Sequence, residues 1–308
     1  MFFFLLFFAF VSTVMAIVME LMGIGVEDNF LLATALGQLV GIFGSFLLYL
    51  FFTRQKPSKV LKFAPLGAKN TVLVIIISFA VIPMVTITSF LSSFIFYPVI
   101  NDFVMDLSAY PFWLSFLVVA IFPSLFEEFM IRGAICAEYE GVSIKKASII
   151  TGLFFGIMHM NFHQSIYTGL FGVLYAYLLY QTRSIWAPIL LHFINNGLAV
   201  VLAYSESYVT WNDNIWNDTP MFLAIYGGAS LVLAPVFIIC LKKIRAVYQE
   251  SNKKIEGALE TIEVESKIEA EVETTEIKKP RIFTWSFYAI IGFFVIFAGL
   301  LEIGLRFQ

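Results

Sequence analysis

The chain has 308 residues, 60% of them hydrophobic and only 13% charged, with a net charge of −3 and a mean hydropathy of +0.87. An ordinary soluble domain is roughly 25% charged, so this composition excludes a disordered chain and a soluble globular one. Without a basic excess it also excludes a nucleic-acid binder, which leaves an all-α polytopic bundle of transmembrane helices.

Nine apolar runs follow one another along the chain: 2–24, 30–52, 71–97, 111–136, 147–163, 164–181, 184–204, 221–241 and 284–305. Most reach the ~20 residues that cross a ~30 Å hydrocarbon core. The first has no basic residue before it and no small-residue cleavage site, so it reads as a retained helix rather than a signal peptide. The fifth and sixth form one long apolar stretch broken at Asn161, His163 and Gln164. A single helix would be too long for one crossing, which predicts a break near Asn161.

The basic residues set an orientation. Loops 53–70, 137–146, 182–183 and 242–282 hold 17 of the 19 Lys and Arg, whereas loops 25–29, 98–110 and 205–220 hold none and carry seven acids. This alternation predicts a cytoplasmic amino terminus, a cytoplasmic segment 242–282 and a carboxyl terminus outside. Segment 242–282 carries nine acids and nine bases and reads as a charged linker, helical or flexible. The expected organisation is a helical core 1–241, the linker 242–282 and a last helix at 283–308.

Few ionisable groups fall inside the spans. Glu127, Glu128 and Arg132 lie in the fourth, and His159, His163 and His192, all the histidines of the chain, lie in or beside others, with Asn195 and Asn196 close to His192. A charge at mid-membrane costs on the order of 3 kcal/mol on insertion scales, so such groups face the interior and usually serve a function. At about 1.5 Å per helical residue, Glu127, His159, His192 and Asn196 fall in one layer between the inner half and the midplane. His163 falls nearer the outer face and is expected to be peripheral.

The spacing adds detail. Glu128 and Arg132, four apart, share a helix face and can neutralise each other, while Glu127 is turned about 100° away toward a cavity. A carboxylate in a low-dielectric site suits a general base. A histidine and an asparagine one turn apart supply donors for a developing oxyanion. Glu127, His159 and His192 could also ligate zinc, since three protein ligands and a water make a catalytic site; whether a divalent metal is used, or none, stays open. The glycines of the second span, Gly37, Gly41 and Gly44, read as packing residues.

Glu127 to Arg132 reads EExxxR, Phe155 to His159 reads FxxxH, and His192 to Asn196 reads HxxxN. In this order on three spans they resemble the CAAX protease and bacteriocin-processing family of intramembrane endopeptidases, also called the Abi family, over residues 111–196. The resemblance implies an eight-span core with one added C-terminal helix. It implies that Glu127 and His159 activate water, that His192 and Asn196 form an oxyanion hole, and that Glu128 and Arg132 support them. It further implies a peptide or protein substrate in or at the membrane, with bacteriocin or signal-peptide maturation or self-immunity as the setting. Two other readings stay open: a non-proteolytic scaffold of the same family, and a proton-coupled transporter.

Overall fold

The computed structural model describes residues 2–25, 29–98, 107, 109–139, 141–205, 214–266 and 285–306. Parts of the three acidic loops and residues 267–284 of the charged segment and its exit lie outside the described residues. Among those described, no strand forms, and nine long helices account for the fold. They are α1 (Phe2–Leu21), α2 (Phe30–Thr53), α3 (Ala68–Ser93), α4 (Phe112–Glu138), α5 (Ile144–Met158), α6 (Phe162–Thr182), α7 (Trp186–Ala203), α8 (a first turn at Thr219–Phe222 leading into Gly228–Ser266) and α9 (Trp285–Arg306). Each corresponds to one predicted run.

Among the described residues, six helices are long and apolar enough to cross a membrane: α2, α3, α4, α7, the Thr219–Glu250 part of α8, and α9. The chain is thus a multi-pass membrane protein. Many of its large apolar side chains, such as Phe51, Phe79, Leu231 and Ile296, are exposed, as expected where lipid is the solvent. The α8 helix continues past its apolar part to Ser266, so the first half of the charged segment is helical.

The predicted break falls at 159–161. The α5 helix ends at Met158, Met160 takes a left-handed φ of 57°, and Asn161 caps α6. The cap is specific. Asn161 Oδ1 accepts from the Gln164 backbone N–H at 2.7 Å, and Asn161 Nδ2 donates back to His159 O at 3.0 Å. One side chain thereby satisfies orphan groups of both helix ends.

Helices α5 and α6 then pack as an antiparallel hairpin along a glycine seam. A Cβ added at Gly156 would stand 2.5 Å from Ser165 O, and one at Gly172 would stand 2.8 Å from the Gly152 Cα. Backbones can approach this closely only without a side chain between them. Gly156→Ala is therefore expected to force the hairpin apart and destabilise the protein by about 1–3 kcal/mol. A lowered melting temperature in detergent, against an unchanged one for alanine at the open position Gly228, would check this.

Four stretches widen from α-helical into π-type turns: Gly37–Phe43 in α2, Leu117–Ile121 and Phe129–Ile135 in α4, and Leu223–Gly227 in α8. Such turns are rare and gather at functional sites. The first three each deliver one group to the polar centre described next. The last helix, α9, packs Phe287 on Phe154 and Phe294 on Phe162. Its Glu302 accepts from Tyr97 N at 3.0 Å and pairs with Arg306 at 2.8 Å, a structural closure at the end of the bundle.

Candidate active site

The site begins with an ion cluster that α4 and α7 bury. Glu128 is 0% exposed and Arg132 1%. Arg132 Nη1 donates to Glu128 Oε1 at 3.2 Å, and Nε lies 3.2 Å from Oε2 as a pure charge contact. Four-residue spacing brings this pair together, as predicted. The remaining side of the guanidinium is filled by the hairpin. Arg132 Nη2 donates to Gly172 O at 3.0 Å, and the guanidinium carbon sits 4.4 Å from the Phe155 ring centre and 5.0 Å from that of Tyr175. A buried charge persists only when paired and hydrogen-bonded in this way. The bare carbonyl of Gly172 and the aromatic faces supply what Glu128 does not.

His192 joins the cluster from α7. It is 4% exposed, and its Nδ1 lies 2.9 Å from Glu128 Oε1. A carboxylate there fixes the proton on Nδ1. The other nitrogen, Nε2, lies 3.2 Å from Asn196 Nδ2, which also donates to Val119 O at 3.0 Å. Val119 belongs to the widened turn of α4. The Asn196 amide thus spans α7 and α4, and its orientation is set by the two acceptors. Tyr175 stacks on the His192 ring at 5.2 Å between centres.

His159 approaches from the break after α5. Its Nδ1 lies 2.8 Å from Phe155 O, an atom that can only accept. The proton must therefore sit on Nδ1, leaving Nε2 with a lone pair. The FxxxH spacing places this carbonyl and ring on one turn, with Phe155 and His159 5.1 Å apart between ring centres. His159 is half-buried and lies within electrostatic range of Glu127 and His192.

Glu127 is 6% exposed and turned away from Arg132. The spacing leaves it without a partner on its own helix, and the structure supplies one from α2: Gln38 Nε2 donates to Glu127 Oε1 at 2.7 Å. Glu127 Oε2 is buried with no partner, as is Gln38 Oε1. Two orphan acceptors in one place are unusual, because an unmet buried polar atom costs about 1–3 kcal/mol. Gln38 is a functional candidate that none of the sequence motifs contains. A glutamine within an apolar span is the signal that points to it, masked by the three glycines around it.

Two of the polar residues singled out by their place in the spans do not join the centre. His163 is 1% exposed but bonds to Ser89 of α3, with Nε2 3.1 Å from Ser89 O. The helix break turns it away from His159. Asn195 only donates to Leu191 O within its own helix.

The candidate zinc ligands do not fit a metal. Among the described residues no three of His, Cys, Asp and Glu gather as a metal-binding group. Both nitrogens of His192 already face protein partners, Glu128 and Asn196, so Glu127, His159 and His192 do not offer three free donors together.

A buried acid, two histidines and an asparagine, drawn from three helices onto one ion cluster, define a multi-pass membrane protein with a polar reaction-type centre inside the bundle. Residues 109–198 match the family described as type II CAAX prenyl endopeptidase, Rce1-like. Over 91 residues the chain is 33% identical to a Bacillus subtilis (strain 168) protein named "Putative membrane peptidase YdiL", a stretch that is 29% of this chain and 37% of that relative. The chain thus matches well under half of the relative's length, and no solved structure matches it. The matched segment, residues 109–198, is the one that holds EExxxR, FxxxH and HxxxN.

Proposed function

We propose that the protein is an intramembrane endopeptidase that cleaves a peptide bond of a membrane-associated peptide or protein. The observation that carries this reading is the unpartnered Glu127 Oε2, buried beside a half-buried histidine whose Nε2 keeps its lone pair. Two acceptors of this kind suit a water molecule that gives one hydrogen to each and attacks with its oxygen. Glu127 is the base and His159 the second anchor, and the proton that Glu127 takes from water passes to the leaving amine as the C–N bond breaks.

His192 and Asn196 then face the developing oxyanion. At rest the Asn196 amide is divided between Val119 O and His192 Nε2. A proton taken up from solvent on Nε2 before water attacks turns that acceptor into a donor and releases the amide hydrogen, so both groups point at the oxyanion at once. Glu128, behind Nδ1, stabilises the imidazolium that this requires. Gln38 is a positioning residue that holds one carboxylate oxygen so that Oε2 receives the proton.

The setting follows from the sequence. Lys and Arg concentrated on alternate loops place the amino terminus and segment 242–282 inside and the carboxyl terminus outside. The helical core 1–241 carries the chemistry, 242–282 is a linker and 283–308 an added helix. Maturation of bacteriocin or signal peptides, or self-immunity, fits such a core.

The test is cleavage of membrane-anchored peptides by purified protein in detergent, with and without a strong chelator. Cleavage by the wild type that persists in chelator and disappears in Glu127→Gln supports the reading. No cleavage by the wild type, with cellular function intact in Glu127→Gln, would replace it with a scaffold. Gln38→Leu, which keeps the volume but loses the donor, is expected to lower kcat about tenfold with little change in KM.

A further inference from the structure

A groove of about 610 Å³ opens at the basic end of the bundle, between α5, α6 and α8 and away from the Glu127 centre. Its wall is apolar, and it runs inward from Gln181 to Val173, eight residues along α6 or about 12 Å. Two exposed cations, Lys145 and Arg245, stand at its mouth, and neither forms an ion pair among the described residues. Arg183, the C-cap of α6, lies 5.2 Å from the ring centre of Tyr248, another wall residue, and so ties α8 to α6 beside the opening.

Two buried polar atoms of lining residues lack partners. Ser148 is 2% exposed and Gln181 7%, and Ser148 Oγ and Gln181 Oε1 make no hydrogen bond. One is a hydroxyl able to donate and the other a carbonyl that can only accept. The occupant they describe carries negative charge for the two cations, an acceptor oxygen for Ser148, a hydroxyl for Gln181 and an apolar tail for the wall. A water molecule meets none of the charge or tail requirements.

We propose that this groove binds one anionic phospholipid with a hydroxylated headgroup, of the phosphatidylglycerol type, from the leaflet at the basic end. The phosphate lies between Lys145 and Arg245, the glycerol hydroxyls reach Gln181, and an acyl chain follows Val173. A cation near an anionic membrane surface is worth about fivefold in affinity, so the two together give about 25-fold.

Native mass spectrometry of the delipidated full chain tests this, using phosphatidylglycerol, phosphatidic acid and phosphatidylcholine as probes. One phosphatidylglycerol is expected to be retained in preference to the other two. The double variant Lys145→Gln/Arg245→Gln should lose about 25-fold in retention, and both sites are exposed, so its melting temperature should match the wild type. Gln181→Leu should remove the preference over phosphatidic acid alone. A phosphatidylglycerol bearing a photoreactive acyl chain should label the α5–α6 peptides around Val173. Equal retention of phosphatidylglycerol and phosphatidylcholine, retention unchanged in the double variant, or labelling confined to other helices would each overturn the proposal.

Discussion

Glu127→Gln is expected to cut peptide cleavage by about 10³-fold, within the 10²–10⁴ range of a lost general base, and to melt no lower than the wild type. The two halves of this expectation come from the same pair of side chains. Gln38 Nε2 donates to Glu127 Oε1, while Gln38 Oε1 and Glu127 Oε2 are both buried acceptors without donors. A glutamine at 127 keeps the volume and the oxygen that Gln38 binds, and replaces the unpaired carboxylate oxygen by a neutral amide. The variant thereby sheds the cost of a buried charge, and loses the carboxylate proposed to take a proton from water. Stability given up for a reactive centre is the expected signature of a catalytic residue. Cleavage assays and melting curves on the same preparation check both halves. A variant that melts well below the wild type would show that the carboxylate is there for packing, and one that cleaves normally would remove Glu127 from the chemistry.

How much of this is legible in the sequence depends on the distance over which each contact is made. Asn161 capping α6, the Glu128–Arg132 pair and the His192–Asn196 pair are all separated by three or four residues, and helical geometry alone brings such residues together. The helices themselves are readable because lipid demands long apolar runs. The contact from Glu128 to His192 spans 64 positions and that from Gln38 to Glu127 spans 89. Nothing in either local pattern says which face meets which. The widened turns are only partly announced. Pro123, four residues after Val119, lacks the N–H that would bond Val119 O, and Gly133 lies in the second turn, but neither residue alone fixes the change of helix pitch, which is seen in the backbone. Sequence therefore supplies the chemistry-bearing residues and their depth, and tertiary packing supplies their pairing. That pairing gives Glu128 its larger part: it holds both Arg132 and His192.

Glu128→Ala is expected to destabilise the protein by about 3–5 kcal/mol, the cost of breaking a buried ion pair on one side only. Arg132, 1% exposed, would keep only Gly172 O and the two aromatic faces as partners. Water cannot reach it to replace the carboxylate, and an arginine does not give up its proton. Low accumulation in the membrane and a sharply lowered melting temperature are the expected readouts. The double variant Glu128→Leu/Arg132→Leu separates structure from function, because replacing both charges by apolar groups of similar size is often neutral for stability. It should recover much of the lost melting temperature and still fail to cleave, since His192 Nδ1 would have lost the carboxylate that sets its tautomer and supports its protonated form. Glu128→Gln lies between these, keeping an oxygen for His192 and Arg132 but not the charge. A double variant that cleaves at the wild-type rate would reduce the pair to scaffolding, and a Glu128→Ala protein as stable as the wild type would show that Arg132 is not held by this carboxylate at all.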